Sequence, residues 1–214
     1  MTCINWGFRC VVFLIFMFLM SCKSSVYSPM PYLGPTTIEN GEEVKHQVKD
    51  FSHYNQDSVL ITDDSMKNYI YVADFFFTSC PSICPRVAKE MQKIYQAFEK
   101  DPTVKLVSFT IDPKRDNVHR LKLYADNLGV KSDKWYFLTG DKDATFELAN
   151  SYFLVAALED PEAPGGFDHS GKIILVDKHG HLRSFCEGTD PSTTPKMIED
   201  IRMLSQAYRN GDEK

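Results

Sequence analysis

Two cysteines separated by three residues, Cys80 and Cys84, lie in the run Asp74-Phe75-Phe76-Phe77-Thr78-Ser79-Cys80-Pro81-Ser82-Ile83-Cys84-Pro85. A thiolate is the form of cysteine that ligates soft metal ions and attacks disulfides, so the pair opens two chemistries, ion binding and thiol–disulfide exchange. A hydrophobic run from Tyr69 to Phe77 predicts a strand leading in, and an amphipathic pattern from about Pro85 to Lys100 predicts a helix leading out. Proline is tolerated in a first helical turn, where its missing N–H has no partner to lose, so Pro85 sets Cys84 at or next to the helix start with Cys80 in the loop before it. A helix N-terminus carries partial positive charge and unpaired N–H groups. Cys84 is therefore expected to ionise more readily than a free cysteine, with Cys80 sharing the effect.

The elements around the pair follow in order. Val48–Phe51 and Ser58–Ile61 read as short strands around a polar turn at Asn55-Gln56-Asp57, and Thr62 as the cap of a brief helical turn. Val104–Ile111 reads as a buried strand, Asn117–Leu128 as a helix closed by Gly129, Trp135–Leu138 as a strand and Asp141–Tyr152 as a helix. Lys172–Val176 and His181–Phe185 flank Asp177-Lys178-His179-Gly180 as a hairpin, and a last helix runs from about Thr193 to Tyr208. This order predicts an α/β fold, a thioredoxin-like three-layer α/β/α sandwich with an N-terminal β-hairpin extension. In such a fold the cysteine pair lies at the C-terminal ends of parallel strands, a usual place for ligands.

Thioredoxins separate their cysteines by two residues rather than three. The wider loop gives the sulfurs more freedom to close around an ion, although a disulfide stays open if Cys80 folds back. Copper(I) prefers soft thiolates, and imidazole can complete a site for either copper oxidation state. His169, in Phe167-Asp168-His169-Ser170 after the flexible stretch Pro164-Gly165-Gly166, is the candidate imidazole. It occupies the loop before a hairpin strand, where a thioredoxin-like fold faces its active-site helix.

The run from Asp74 to Pro85, Ser108-Phe109-Thr110-Ile111-Asp112-Pro113 with Arg115-Asp116, and Asp168-His169-Ser170 together resemble the SCO (SenC/PrrC) family of copper-binding, thioredoxin-fold proteins. The resemblance runs through roughly the whole domain. It implies that Cys80, Cys84 and His169 bind copper, that Asp112 supports the site, and that the protein helps to mature the CuA centre of a respiratory cytochrome c oxidase. Read by itself, Asp112-Pro113 at a strand end is either turn chemistry or a carboxylate that orients His169 or holds the site in one proton state.

Other residues carry weaker signals. Cys186 falls on the second hairpin strand, where alternation makes it a buried, inert thiol rather than a third redox thiol or fourth ligand. His179 and His181 form an HxH pair, read as solvated surface. A structural zinc site wants four closed ligands, and three are evident without Cys186. A peroxidase would need one low-pKa cysteine beside a hydroxyl or guanidinium, which Thr78 or Arg86 could supply, but this leaves the second cysteine and His169 without a role.

The N-terminus bears on location. Arg9 precedes an apolar run of eleven residues, Cys10 to Met20, too short for a span of roughly 20 residues and read as a signal peptide core. Leu19-Met20-Ser21-Cys22 looks like a bacterial lipobox, making Cys22 the lipidated first residue of the mature chain. The expected division is therefore residues 1–21 as signal peptide, 22–40 as a Ser-, Pro- and Gly-containing tether, and 41–214 as the domain, held outside the cytoplasm in the cell envelope. Processing leaves Cys80, Cys84 and Cys186 as thiols, a poor disulfide framework, and moves the net charge from −5 to −6, which does not suggest a nucleic-acid binder.

Two functions of different class follow. One is a metallochaperone that holds copper on Cys80, Cys84 and His169 and passes it, by ligand exchange and without enzymatic turnover, to the CuA-bearing oxidase subunit or another cuproprotein. The other is a membrane-tethered thiol–disulfide oxidoreductase in which Cys80 attacks and Cys84 resolves.

Overall fold

The computed structural model describes residues 29–213 apart from Lys49. The signal peptide and the lipobox with Cys22 lie outside the described residues. The chain enters as two hairpins, β1 (Thr36–Glu39) with β2 (Glu42–Lys45) and β3 (Ser52–Tyr54) with β4 (Leu60–Thr62), followed by a one-turn helix α1 (Asp63–Met66). Thr62 caps α1 as its sequence predicts, accepting the Ser65 N–H while the Ser65 hydroxyl accepts the Thr62 N–H.

The core is β5 (Ile70–Phe76), α2 (Cys84–Phe98), β6 (Val104–Thr110), α3 (Val118–Leu128), β7 (Trp135–Leu138), α4 (Lys142–Glu147), β8 (Ala157–Glu159), β9 (Phe167–His169), β10 (Lys172–Val176), β11 (Leu182–Glu187) and α5 (Thr194–Asn210). A five-stranded mixed sheet has the order β11-β10-β5-β6-β7, with β5, β6 and β7 parallel and β10 and β11 antiparallel. All seven residues of β5 are buried, as a central strand covered on both faces requires. On one face Phe76 packs on Tyr124 of α3 and on Phe137, while Trp135 meets Tyr95 of α2. On the other, Phe75 stacks on Phe109, and both meet Phe153 beyond α4; Phe51 and His53 from the β3 region close that face. Helices over one face, and α4 with the β3–β4 hairpin over the other, complete the thioredoxin-like sandwich.

Three departures from the sequence reading have local causes. The helix expected over Asp141–Tyr152 is α-helical only to Glu147 and continues as a π-helical turn, Leu148–Tyr152. Val48 and Phe51 are buried anchors at the hairpin entrance, and the ladder is made by the more polar residues after them. The expected tether boundary at 40/41 falls on the β1–β2 turn, and the chain already packs from Met30 onward. That packing centres on Arg183, whose side chain is wholly buried. Its guanidinium donates to Asp177 (2.8 Å), to Glu213 (2.7 Å) and to the carbonyls of Met30 (2.8 Å) and Pro31 (3.2 Å).

Candidate metal centre

The β5 strand delivers the chain to a turn at the C-terminal edge of the sheet, where the Cys80 N–H donates to the Phe77 carbonyl at 3.2 Å. Four residues on, Cys84 opens α2, with Pro85 in its first turn and no side-chain cap at Ile83. The helix start thus leaves the Cys84 N–H free for a non-helical acceptor, and it donates to Cys80 Sγ at 3.5 Å. Ser82 Oγ lies 3.6 Å from the same sulfur.

The third group arrives from a different part of the chain. Asn150, in the π-helical turn, mimics a neighbouring strand: its side-chain N–H donates to the Ala157 carbonyl at 2.9 Å and its oxygen accepts the Ala157 N–H at 3.2 Å. Ala157 pairs in turn with His169 across the β8–β9 ladder. His169 therefore ends a short strand and does not sit in the open loop expected from Pro164-Gly165-Gly166. Its ring lies edge-on to Phe77, with centroids 5.7 Å apart, and Phe77 also packs on Phe167. Gly165 is needed here: it has φ +89°, and a Cβ on it would stand 2.7 Å from the Phe77 ring.

These elements bring Cys84 Sγ to 3.4 Å from His169 Nε2, and the ligand atoms of Cys80, Cys84 and His169 all lie within 4.8 Å of one another. The three side chains are 9 %, 4 % and 7 % exposed. His169 Nδ1 faces the Ser170 carbonyl at 3.3 Å. A carbonyl only accepts, so Nδ1 carries the proton and the Nε2 lone pair points at the sulfurs, the tautomer a metal ligand needs. Burial lowers the His169 pKa, which favours the neutral imidazole, against the opposing pull of the Ser170 carbonyl, Asp168 and the Phe75 backbone. Two sulfurs and one imidazole nitrogen, all nearly shielded from water, form a donor set suited to a soft ion.

The thiols differ from the expected order. Burial would raise the Cys80 pKa, but the hydrogen bonds from Cys84 and Ser82 outweigh it and hold the thiol below its ordinary value. Burial pushes the Cys84 thiol well up, and the neighbouring Cys80 adds to the rise. The helix N-terminus serves Cys80 because the N–H that it frees points back into the loop rather than toward the side chain of Cys84.

Asp112 stands outside the three-residue group. Its carbonyl accepts the N–H groups of Arg115 (3.1 Å) and Asp116 (2.9 Å), and its carboxylate pairs with Arg115 at 3.1 Å. It borders a cavity that runs from Pro113 and Lys142 to Gly165 and Phe167, beside the strand that carries His169. Cys186 is buried opposite Ile173 and does not join the group; burial pushes its thiol up to about 12. His181 Nδ1 donates to the His46 carbonyl at 2.8 Å, and the His179 ring packs on Tyr208, so the HxH pair faces two different partners. Asp116, beyond its place in the Arg115-Asp116 motif, had no sequence signal of its own. It is fully buried and holds Thr78, two residues before Cys80.

Comparison with known proteins gives one family. The SCO1/SenC family model matches residues 39–206. The SCO1 protein homolog of Bacillus subtilis (strain 168) is 28 % identical over 193 residues, covering 90 % of this chain and 93 % of that one. The structure of BsSco, described as having a disulfide switch and as a member of the Sco family of cytochrome c oxidase assembly proteins, matches with TM-score 0.66 and 29 % identity, covering 75 % of this chain and 94 % of that one. ScoI of Bradyrhizobium japonicum, solved with copper bound, matches with TM-score 0.60 and 25 % identity, covering 72 % and 96 %. The matched span takes in both cysteines, the histidine and every strand of the central sheet, and the chain belongs to the SCO1/SenC family.

Proposed function

We propose that this chain is a copper metallochaperone that holds the ion on Cys80 Sγ, Cys84 Sγ and His169 Nε2 and delivers it to a cuproprotein, the CuA-bearing subunit of cytochrome c oxidase being the target that the family implies. The observation that carries the reading is the convergence of two sulfurs and one correctly protonated imidazole within 4.8 Å, from three separate elements of the fold. The copper-bound Bradyrhizobium japonicum relative and the oxidase-assembly description of BsSco support it. Three ligands leave an ion coordinatively open, so a partner's thiolate can attach before the last bond here breaks. Asp112 enters as a charged wall beside the site, paired with Arg115, while the Ser170 carbonyl orients His169.

The lipobox ending at Cys22 would fasten the domain to a membrane through residues 22–40, after removal of residues 1–21, and place it in the cell envelope outside the cytoplasm. A second reading, thiol–disulfide exchange on cuproprotein cysteines, is favoured by the inequality of the two thiols, one activated and one suppressed, and by the disulfide switch described for BsSco.

A copper(I) titration of the reduced domain against a chromogenic competitor separates the two. One tight equivalent that requires both cysteines and is weakened at least tenfold by His169→Ala is the expected result. Absence of competitive binding by the unmodified domain defeats the chaperone reading and leaves exchange, which does not need His169.

A further inference from the structure

The three ligands rest on unequal supports. Cys84 is fixed by α2 and His169 by the β8–β9 ladder, whereas Cys80 hangs on a turn between strand and helix. One carboxylate anchors that turn. Asp116 is 0 % exposed, in the segment between β6 and α3, and its Oδ2 accepts the Thr78 N–H at 2.8 Å and the Thr110 hydroxyl at 2.6 Å. Its Oδ1 accepts the Thr78 hydroxyl at 2.5 Å and lies 3.5 Å from Arg120 Nε, which also donates to Thr78 Oγ1 at 2.5 Å. Both donors of Thr78 thus end on a single buried anion, and Arg120 alone brings it positive charge among these contacts.

We propose that Asp116 is the positioning residue for Cys80, holding the first sulfur within ligand distance of Cys84 and His169 by fixing the backbone at Thr78. The assignment rests on the copper-binding reading of the three ligands. The Thr78 N–H can only donate, and its acceptor in this half-buried turn is the Asp116 carboxylate. Asparagine can present one oxygen to Thr78 N–H and Thr110, but its NH2 then faces the Arg120 donor, a mismatch that loosens the turn while nearly preserving its volume. The loss falls on Cys80. Cys84 and His169 keep their own supports.

The test is a double-mutant cycle in the reduced domain: Asp116→Asn and Cys80→Ser singly and combined, with His169→Ala in both backgrounds, reading copper(I) affinity and the sulfur-to-copper(II) charge-transfer spectrum. Asp116→Asn is expected to weaken copper(I) binding on the order of tenfold and to change the charge-transfer bands. In the Cys80→Ser background Asp116→Asn costs little more, whereas in the His169→Ala background it keeps its full cost. Additive losses for Asp116→Asn with Cys80→Ser, or an unaltered spectrum and affinity, overturn the assignment. Thr78→Val, which keeps the N–H contact and removes only the hydroxyl, serves if Asp116→Asn does not fold, and is expected to show the same coupling at smaller size. If the unmodified domain binds no copper, the ratio of Cys80 to Cys84 alkylation still reports on the turn: a ratio that falls in Asp116→Asn upholds the positioning role without the copper reading, and an unchanged ratio removes both.

Discussion

The backbone N–H of Cys84 donates to the sulfur of Cys80 at 3.5 Å, so the second cysteine activates the first while its own thiol is suppressed by burial. Under alkylation of the native reduced domain by iodoacetamide across pH 5–10, Cys80 is expected to react first and below the pH at which a free thiol reacts. Cys84 and Cys186 stay protected until the chain is unfolded. Peptide mass spectrometry reads the order directly, and equal rates at Cys80 and Cys84 would contradict it.

Gly165 and Gly166 have nearly the same backbone, φ +89° and +90°, but only a Cβ on Gly165 would strike the Phe77 ring. Alanine at either position costs about 1–2 kcal/mol of left-handed strain. Gly165→Ala should also displace Phe77 from His169 and weaken copper(I) binding several-fold, with Gly166→Ala leaving affinity near the parent value. Competitor titrations on the two variants make the comparison, and equal affinities would show that Phe77 does not set the imidazole.

His53 is buried between β3 and α4. The Thr145 hydroxyl donates to the Asp141 carbonyl, so it accepts from His53 Nε2 at 2.8 Å, and Nδ1 is left as a buried acceptor with no partner. A proton added there would find none either. Burial holds the His53 pKa down to about 4, against partial compensation by Asp141. Between about pH 6.5 and pH 4 the unfolded chain therefore binds a proton that the folded chain refuses. This contribution to stability is full above pH 6.5 and declines, by about 3 kcal/mol in all, as pH falls to about 4. Urea denaturation at several pH values should show the decline in the parent and its loss in His53→Leu.

Arg183 donates to four neighbours, the carbonyls of Met30 and Pro31 and the buried carboxylates of Asp177 and Glu213. Removing one partner of a buried ionic group costs about 3–5 kcal/mol, because the remaining charges stay desolvated. Arg183→Met is therefore expected to lower the urea midpoint sharply while the molecules still folded bind copper(I) with parental affinity. A parallel fall in affinity would mean that the hub and the metal centre are coupled.

Much of this was legible in the residues. Pro85 fixes where α2 begins, and the run into Phe76, apolar but for Asp74, reads as a covered strand, so the placement of Cys80 and Cys84 followed from local chemistry. The order of the two thiols was not legible. Helix-end polarity favours Cys84 in sequence, but its 4 % exposure is a property of the packed sandwich, and desolvation wins. The β8 and β9 strands are three residues each, too short for alternation to show, and the intervening Pro164-Gly165-Gly166 reads as loop in any case. Thr78 and Asp116 lie 38 residues apart, and no local pattern announces that two such positions meet.

Arg183 sits at the β10–β11 turn end of the sheet, and the cysteines at the other, about 20 Å away along a seven-residue strand. Because its guanidinium grips the carbonyls of Met30 and Pro31, the N-terminal arm joins the fold at this end of the sheet, away from the C-terminal edge of β5. The first described contacts of the N-terminal arm and the three ligand side chains thus stand at opposite poles of the domain, joined by the length of β5.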